Sequence, residues 1–95
     1  MIIAVDYDGT LWDGKAINYR LIKRLQREQR CGNTIILWTC RERDGLASAI
    51  TRLAGAGFHP NYINRNAPEA IAKLGHDSRK IFADVYIDDK GMPAW

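Results

Sequence analysis

Histidine and cysteine are scarce, with two of each in 95 residues. Cys31 and Cys40 form no CxxC pair and no Cys/His cluster, which argues against a zinc module or a disulfide-stapled fold; reduced thiols packed beside secondary structure are expected. His59 and His76 adjoin turn residues and read as surface histidines. Long hydrophobic runs are missing too, none approaching the roughly 20 residues of a membrane span. The opening MIIAVDYDGT has neither the basic region nor the small-residue cleavage site of a secretory signal, so a cytoplasmic chain with no membrane partner is expected. There is no repeat, linker or low-complexity segment, and the length allows one domain, 1–95, near the lower limit for a well-filled core. A strong charge of either sign is also lacking. Much of the net +3 comes from Arg20, Lys23, Arg24, Arg27 and Arg30 of one predicted helix, a solvated face in the simplest reading. A nucleic-acid partner is compatible with that charge but not supported by it.

What the chain does have is alternation. MIIAV is a continuous β-branched run, too short for a helix, and predicts a strand buried on both faces. From Ala16 to Arg30 the residues Ile17, Leu21, Ile22 and Leu25 follow helical spacing, with Gly32 placed to end the helix. TIILW predicts a second buried strand. Asp44 is placed to cap a second helix whose apolar stripe is Leu46, Ile50, Leu53 and Ala54. NYIN reads as a short, weaker third strand. Pro68 suits the first turn of a third helix, which carries Ile71 and Leu74 and ends at Gly75. KIFADVYI predicts a last strand that starts late because Asp84 interrupts it, and residues 90–95 read as an irregular tail. Strand and helix in alternation predict an α/β domain with a parallel sheet, small and doubly wound in the Rossmann-like manner.

In such sheets ligands bind outside the carboxyl ends of the strands. Three apolar runs end there in polar residues: MIIAV in Asp6, TIILW in Thr39, and VYI in Asp88 and Asp89. If these strands are neighbours, Asp6, Asp8, Asp88, Asp89 and the Thr39 hydroxyl converge. Clustered carboxylates raise each other's pKa unless a cation lies among them. Hard oxygen donors favour Mg²⁺, which completes its shell with water and phosphate, so phosphate-ester chemistry is the expected activity.

These residues carry a family likeness. DYDGT after a hydrophobic strand, IILWT, Lys80 and YIDD stand in the order of the four motifs of the haloacid dehalogenase superfamily of Mg²⁺-dependent phosphatases, which the chain resembles from Met1 to Asp89. The resemblance implies a three-layer α/β/α core with strand order about 4-1-2-3. It also implies a capless, minimal enzyme, because the stretches from Asp8 to Thr39 and from Thr39 to Lys80 are long enough only for core crossovers. It implies Asp6 as a nucleophile forming an aspartyl-phosphate and Asp8 as general acid and base. Gly9 would permit the tight turn between them and the phosphoryl group. Thr39 and the Cys40 N–H would hold phosphoryl oxygens, and Lys80 would balance charge. Lys80 stands only eight residues before Asp88, and Lys73 is the other lysine within reach of that role. Mg²⁺ would be held by Asp6, the Asp8 carbonyl and Asp88, with Asp89 close by or acting through water.

Arg41 and Arg65 follow strand ends and are candidate substrate contacts. Asp13 reads as a turn residue, Trp12 as a flap or packing residue, and Asp84 has no assigned role. The expected function is a phosphatase cleaving phosphate monoesters, its open site covered by a macromolecular substrate or by a second copy of the chain. The alternatives are a phosphotransferase, a nucleic-acid-end phosphatase using the same site, and a non-catalytic binding module on the same fold.

Overall fold

The N-terminal apolar run forms β1 (Ile2–Asp6), and the alternation of its side chains founds two core layers. In the computed structural model, which describes residues 1–75 and 81–91, Ile3 and Val5 pack on one side of the strand and Ile2 and Ala4 on the other. β2 (Thr34–Trp38), β3 (Tyr62–Ile63) and β4 (Val85–Ile87) join it in one sheet of order β3-β2-β1-β4, every pairing parallel. This is the expected α/β class and the expected 4-1-2-3 order, read from the opposite edge.

Helices cover both faces. α1 (Tyr19–Arg30) brings Leu21, Ile22 and Leu25, and α2 (Arg43–Gly55) brings Ala49 and Leu53, against Ile3, Val5, Ile35, Leu37 and Ile87. α3 (Pro68–Leu74) lies on the other face, where Ala67, Ala70 and Ile81 meet Ile2, Ala4 and Ile36. The chain thus steps outward from β1 to β2 to β3, then returns through α3 to β4 on the far side of β1. That reversal leaves a crevice at the carboxyl ends of β1 and β4, where open α/β sheets take ligands.

The two-residue β3 is held by asparagines at both ends. Asn61 Oδ1 accepts from the Ile35 N–H at 2.8 Å, and Asn64 Oδ1 accepts from the Thr39 N–H at 2.8 Å, so side chains extend a ladder the backbone cannot complete. Asp84, which had no role in the sequence, does the same for β1: its Oδ2 accepts from the Ile2 N–H at 2.7 Å and its own N–H donates to the Ile2 carbonyl at 2.7 Å.

Several expectations need correction. α1 starts at Tyr19, because the Asn18 side chain accepts from the Leu21 N–H at 3.1 Å and caps it there; Ile17 is buried but precedes the helix. Asp44 lies in the first turn of α2 and Glu42 occupies the cap position. The buried face of α2 is Ala49 and Leu53, with Leu46 half-buried and Ile50 and Ala54 exposed. In α3 the buried residue is Ala70, while Leu74 is exposed. Cys31 and Cys40 are free but exposed, so they are not packing thiols: one caps α1 and the other follows Thr39 in a loop. His76, Lys80 and residues 92–95 lie outside the described residues; Lys90 and Gly91 belong to no helix or strand. Among the described residues no helix is long and apolar enough to cross a membrane.

Leu25 is fully buried between α1 and the sheet. Leu25→Ala is expected to lower the unfolding free energy by about 2–5 kcal/mol in a denaturant titration. A loss well under 1 kcal/mol would contradict this packing.

Candidate functional site

Asp6 ends the central strand. Val5 pairs with Ile87, so the residues that follow, Asp6 and Asp88, leave the sheet side by side. Partial burial pushes the Asp6 carboxyl above its ordinary value. The Tyr7 N–H, donating to Oδ1 at 2.8 Å, offsets part of that, and the charges of Asp8, Asp89 and Asp88 push it further up. Asp8, Asp88 and Asp89 therefore stand near enough to the end of β1 for their charges to act on Asp6.

The loop after β1 is a tight turn built on one carbonyl. Tyr7 O accepts from the N–H groups of Thr10, Leu11 and Trp12 at 3.2, 2.9 and 3.0 Å. Gly9 adopts φ +80°, a left-handed conformation natural to glycine. A Cβ there would meet the Asp89 Cβ at 3.4 Å, an ordinary contact, so the loops after β1 and β4 lie side by side and it is the left-handed φ that calls for glycine. Asp13 Oδ1 accepts from the Lys15 and Ala16 N–H groups, each at 2.7 Å, as its reading as a turn residue requires.

Asp8 is gripped by Arg41. The guanidinium donates through Nε and Nη2 to the two carboxylate oxygens, each at 2.9 Å, and through Nη1 to the Gly45 carbonyl at 3.2 Å. These bonds from Arg41 hold the Asp8 carboxyl below its ordinary value, and the charge of Arg52 acts in the same direction. Both arginines lean on aromatic rings. Arg41 lies 4.8 Å from the centre of the fully buried Tyr7 ring, and Arg52 lies 3.9 Å from that of Trp12 while donating to the Tyr7 hydroxyl at 2.7 Å. Sequence reading did not single out Arg52: its helical position resembles any exposed arginine, and only the docking of α2 brings it to Tyr7.

Thr39 is buried at the end of β2 and clamped to Asn64, whose Nδ2 donates to the Thr39 carbonyl at 2.9 Å while its Oδ1 accepts from the Thr39 N–H. Asn64 holds φ +53°, left-handed and costly for most side chains, and is the second residue that sequence reading missed. Thr39 Oγ1 accepts from the Arg41 N–H at 3.1 Å, tying the phosphate-binding candidate to the arginine that holds Asp8. Cys40 is exposed in the same loop. Asp88 Oδ1 accepts from the Lys90 and Gly91 N–H groups at 2.9 and 2.7 Å, which closes the turn after β4. Arg65 is not gathered with the acids: it stacks on Tyr62 at 5.0 Å, beyond β3, on the far side of β2 from Asp6. Lys80 lies outside the described residues.

Among the described residues no three Asp, Glu, His or Cys side chains are grouped to hold a metal ion by themselves. Mg²⁺ does not need such a cage, since one or two carboxylates with water and substrate phosphate suffice. The donors here are all oxygen, and although burial is the main reason the Asp6 carboxyl is raised, the like charges of Asp8, Asp89 and Asp88 add to it, and a cation would balance them. On both counts the residues fit that ion.

The chain matches no protein-family model and no curated protein. Among solved structures it is similar to a conserved protein from Bacteroides thetaiotaomicron, with 33% identity, a TM-score of 0.81, and coverage of 100% of this chain and 83% of that one.

Two measurements probe the site without assuming an activity. An ordinary carboxyl titrates near 3.9, and that of Asp6 lies higher in the fold, so the folded state disfavours its ionised form. The penalty is absent below the unfolded value and full above the folded one. Asp6→Asn is therefore expected to raise Tm at pH 7 in EDTA and to lose that advantage near pH 3; an unchanged Tm at pH 7 would refute the penalty that burial and like charge place on the ionised carboxylate. Asn64→Ala, which loses two hydrogen bonds and keeps a strained φ, is expected to cost about 2–4 kcal/mol. Asn64→Gly should cost about 1 kcal/mol less, because glycine tolerates the conformation. Equal losses in denaturant titrations of the two variants would remove backbone strain from the account.

Proposed function

From a chain that belongs to the same family as the conserved protein of Bacteroides thetaiotaomicron, we infer a Mg²⁺-dependent phosphohydrolase of the haloacid dehalogenase type, cleaving phosphate monoesters through an aspartyl-phosphate. The observation that carries this reading is a half-buried Asp6 at the end of the central strand, with Asp8, Asp88 and Asp89 charged around it at the point where the order of strand addition reverses.

Asp6 Oδ attacks phosphorus, forming an acyl-phosphate bond as the ester P–O bond breaks. The departing oxygen takes a proton from Asp8. Asp8 then removes a proton from water, which attacks the same phosphorus, releases inorganic phosphate and restores the Asp6 carboxylate. Thr39 Oγ1 and the Cys40 N–H hold the transferring oxygens, and the Asn64 clamp keeps Thr39 at the strand end. Asp8 must carry a proton when the ester enters, whereas Arg41 holds it ionised in the ligand-free chain. A phosphate dianion competes for the same guanidinium fork, so its arrival frees Asp8 and turns Arg41 into a substrate contact. Asp6 and Asp88, with the Asp8 carbonyl and Asp89 close by, are the residues that would hold Mg²⁺; when bound, the ion supplies charge neutralisation at the phosphoryl group. The same reading takes in a charge-balancing Lys80, a reducing cytoplasmic setting in keeping with free Cys31 and Cys40, and an open site covered by substrate or by a second copy of the chain.

The closed Asp8–Arg41 pair favours one other reading, a binding module that performs no chemistry. Para-nitrophenyl phosphate separates the two. Turnover is expected with Mg²⁺ and not with EDTA, and Asp6→Asn should lose on the order of a thousandfold or more in kcat. Turnover insensitive to Mg²⁺, or retained by Asp6→Asn, would sink the phosphohydrolase; no turnover by pure folded protein would leave the binding module.

A further inference from the structure

Trp38 and Tyr86 leave much of their rings in solvent, 45% and 39% exposed, next to the candidate site. Trp38 is the register partner of Asp6, and Tyr86 is that of Ala4, so both rings emerge on the α3 face from the two strands that flank β1. They meet with centroids 5.9 Å apart and planes at 65°, edge to face. The Tyr86 ring is anchored: its hydroxyl donates to the Ile81 carbonyl and accepts from the Ala83 N–H at 3.1 Å, and Trp38 packs against it one residue before the clamped Thr39. Single exposed aromatics need no explanation. Here two rings in contact form an open corner beside the carboxylate that anchors the proposed chemistry. An aliphatic group would need to be enclosed to gain much from such a surface, whereas a flat ring gains from one stacked face and leaves its polar edge in water.

We propose that Trp38 and Tyr86 form a base-stacking subsite, so that the phosphate monoester presented to Asp6 is carried next to a nucleobase. This rests on the phosphohydrolase reading and names its substrate class. A free nucleotide and the phosphorylated end of a nucleic acid share this chemistry. Because every base offers a π-face, the subsite tolerates different bases.

The test compares kcat/KM for adenosine 5′-monophosphate, a short 5′-phosphorylated oligonucleotide and ribose 5-phosphate on the intact chain. Stacking of one base predicts that at least one base-bearing ester exceeds ribose 5-phosphate by roughly five- to a hundredfold. Whichever of the two shows the advantage identifies the source. In Trp38→Ala the ratio should fall toward one, and in Trp38→Phe, which keeps a ring, it should largely return. Equal values for all three esters, or an advantage that survives Trp38→Ala, would overturn the subsite even if phosphatase activity is present. If no ester and no para-nitrophenyl phosphate turns over, the phosphohydrolase reading fails, and calorimetric titration then reads the subsite directly. Binding of adenosine 5′-monophosphate in preference to ribose 5-phosphate, lost in Trp38→Ala, would uphold stacking. Equal or absent binding of the two would end it.

Discussion

Negative charge crowded at the carboxyl ends of β1 and β4 organises this end of the fold. Asp6 is half-buried, and Asp8, Asp88 and Asp89 all repel the charge it carries. Burial and like charge each penalise an ionised carboxylate, and a central strand paired on both sides holds it in place regardless. The surroundings relieve the strain only in part. The Tyr7 N–H bonds Asp6, Arg41 takes both oxygens of Asp8, and backbone N–H groups of the turn after β4 take one oxygen of Asp88. Asp6 is left with a raised pKa, and Asp8 is held by an arginine. Asp6 and Asp8, with one residue between them, are thus pushed in opposite directions by burial and like charge on one side and an arginine on the other.

Rigid support stands behind this arrangement. Tyr7 is enclosed in the core and stacks with Arg41 while bonding Arg52, which in turn covers Trp12. Each cation–π contact is worth about 0.5–2 kcal/mol, and together they connect the loop after β1 to α2. On the other flank Asn64 carries the β2–β3 ladder past the two-residue β3 to Thr39. At Gly9 the loop after β1 lies beside Asp89. The loops after β1 and β2 are therefore tied to the elements around them.

Much of this was legible in advance, for a simple reason. A strand buried on both faces must be apolar throughout, so its end is marked by the first polar residue; Asp6, Thr39, Asp88 and Asp89 announce themselves this way. The helix faces were harder to read. Ile50 is the more hydrophobic residue, yet Ala49 is buried, because the direction in which α2 docks, which its own periodicity does not settle, chose the contact. Cys31 and Cys40 are exposed for a related reason: Cys31 follows the last residue of α1 and Cys40 stands two residues beyond the end of β2, where the chain leaves the core. Arg41 could be named a site residue from its position after β2, but its partner could not. A bond spanning 33 residues of sequence depends on how two loops settle over the sheet.

By itself the sequence determined the alternation of strands and helices, the parallel sheet and the polar strand ends, because these follow from local periodicity and from what a doubly buried strand can contain. Only the tertiary structure decided that β4 returns beside β1, bringing two pairs of aspartates together. It also decided that Asn64 rather than a backbone group completes the ladder at Thr39, and that Trp38 and Tyr86 share a corner over the same strand end. Those are contacts between residues far apart in the chain, fixed by register, where a shift of one position would turn each side chain to the opposite face.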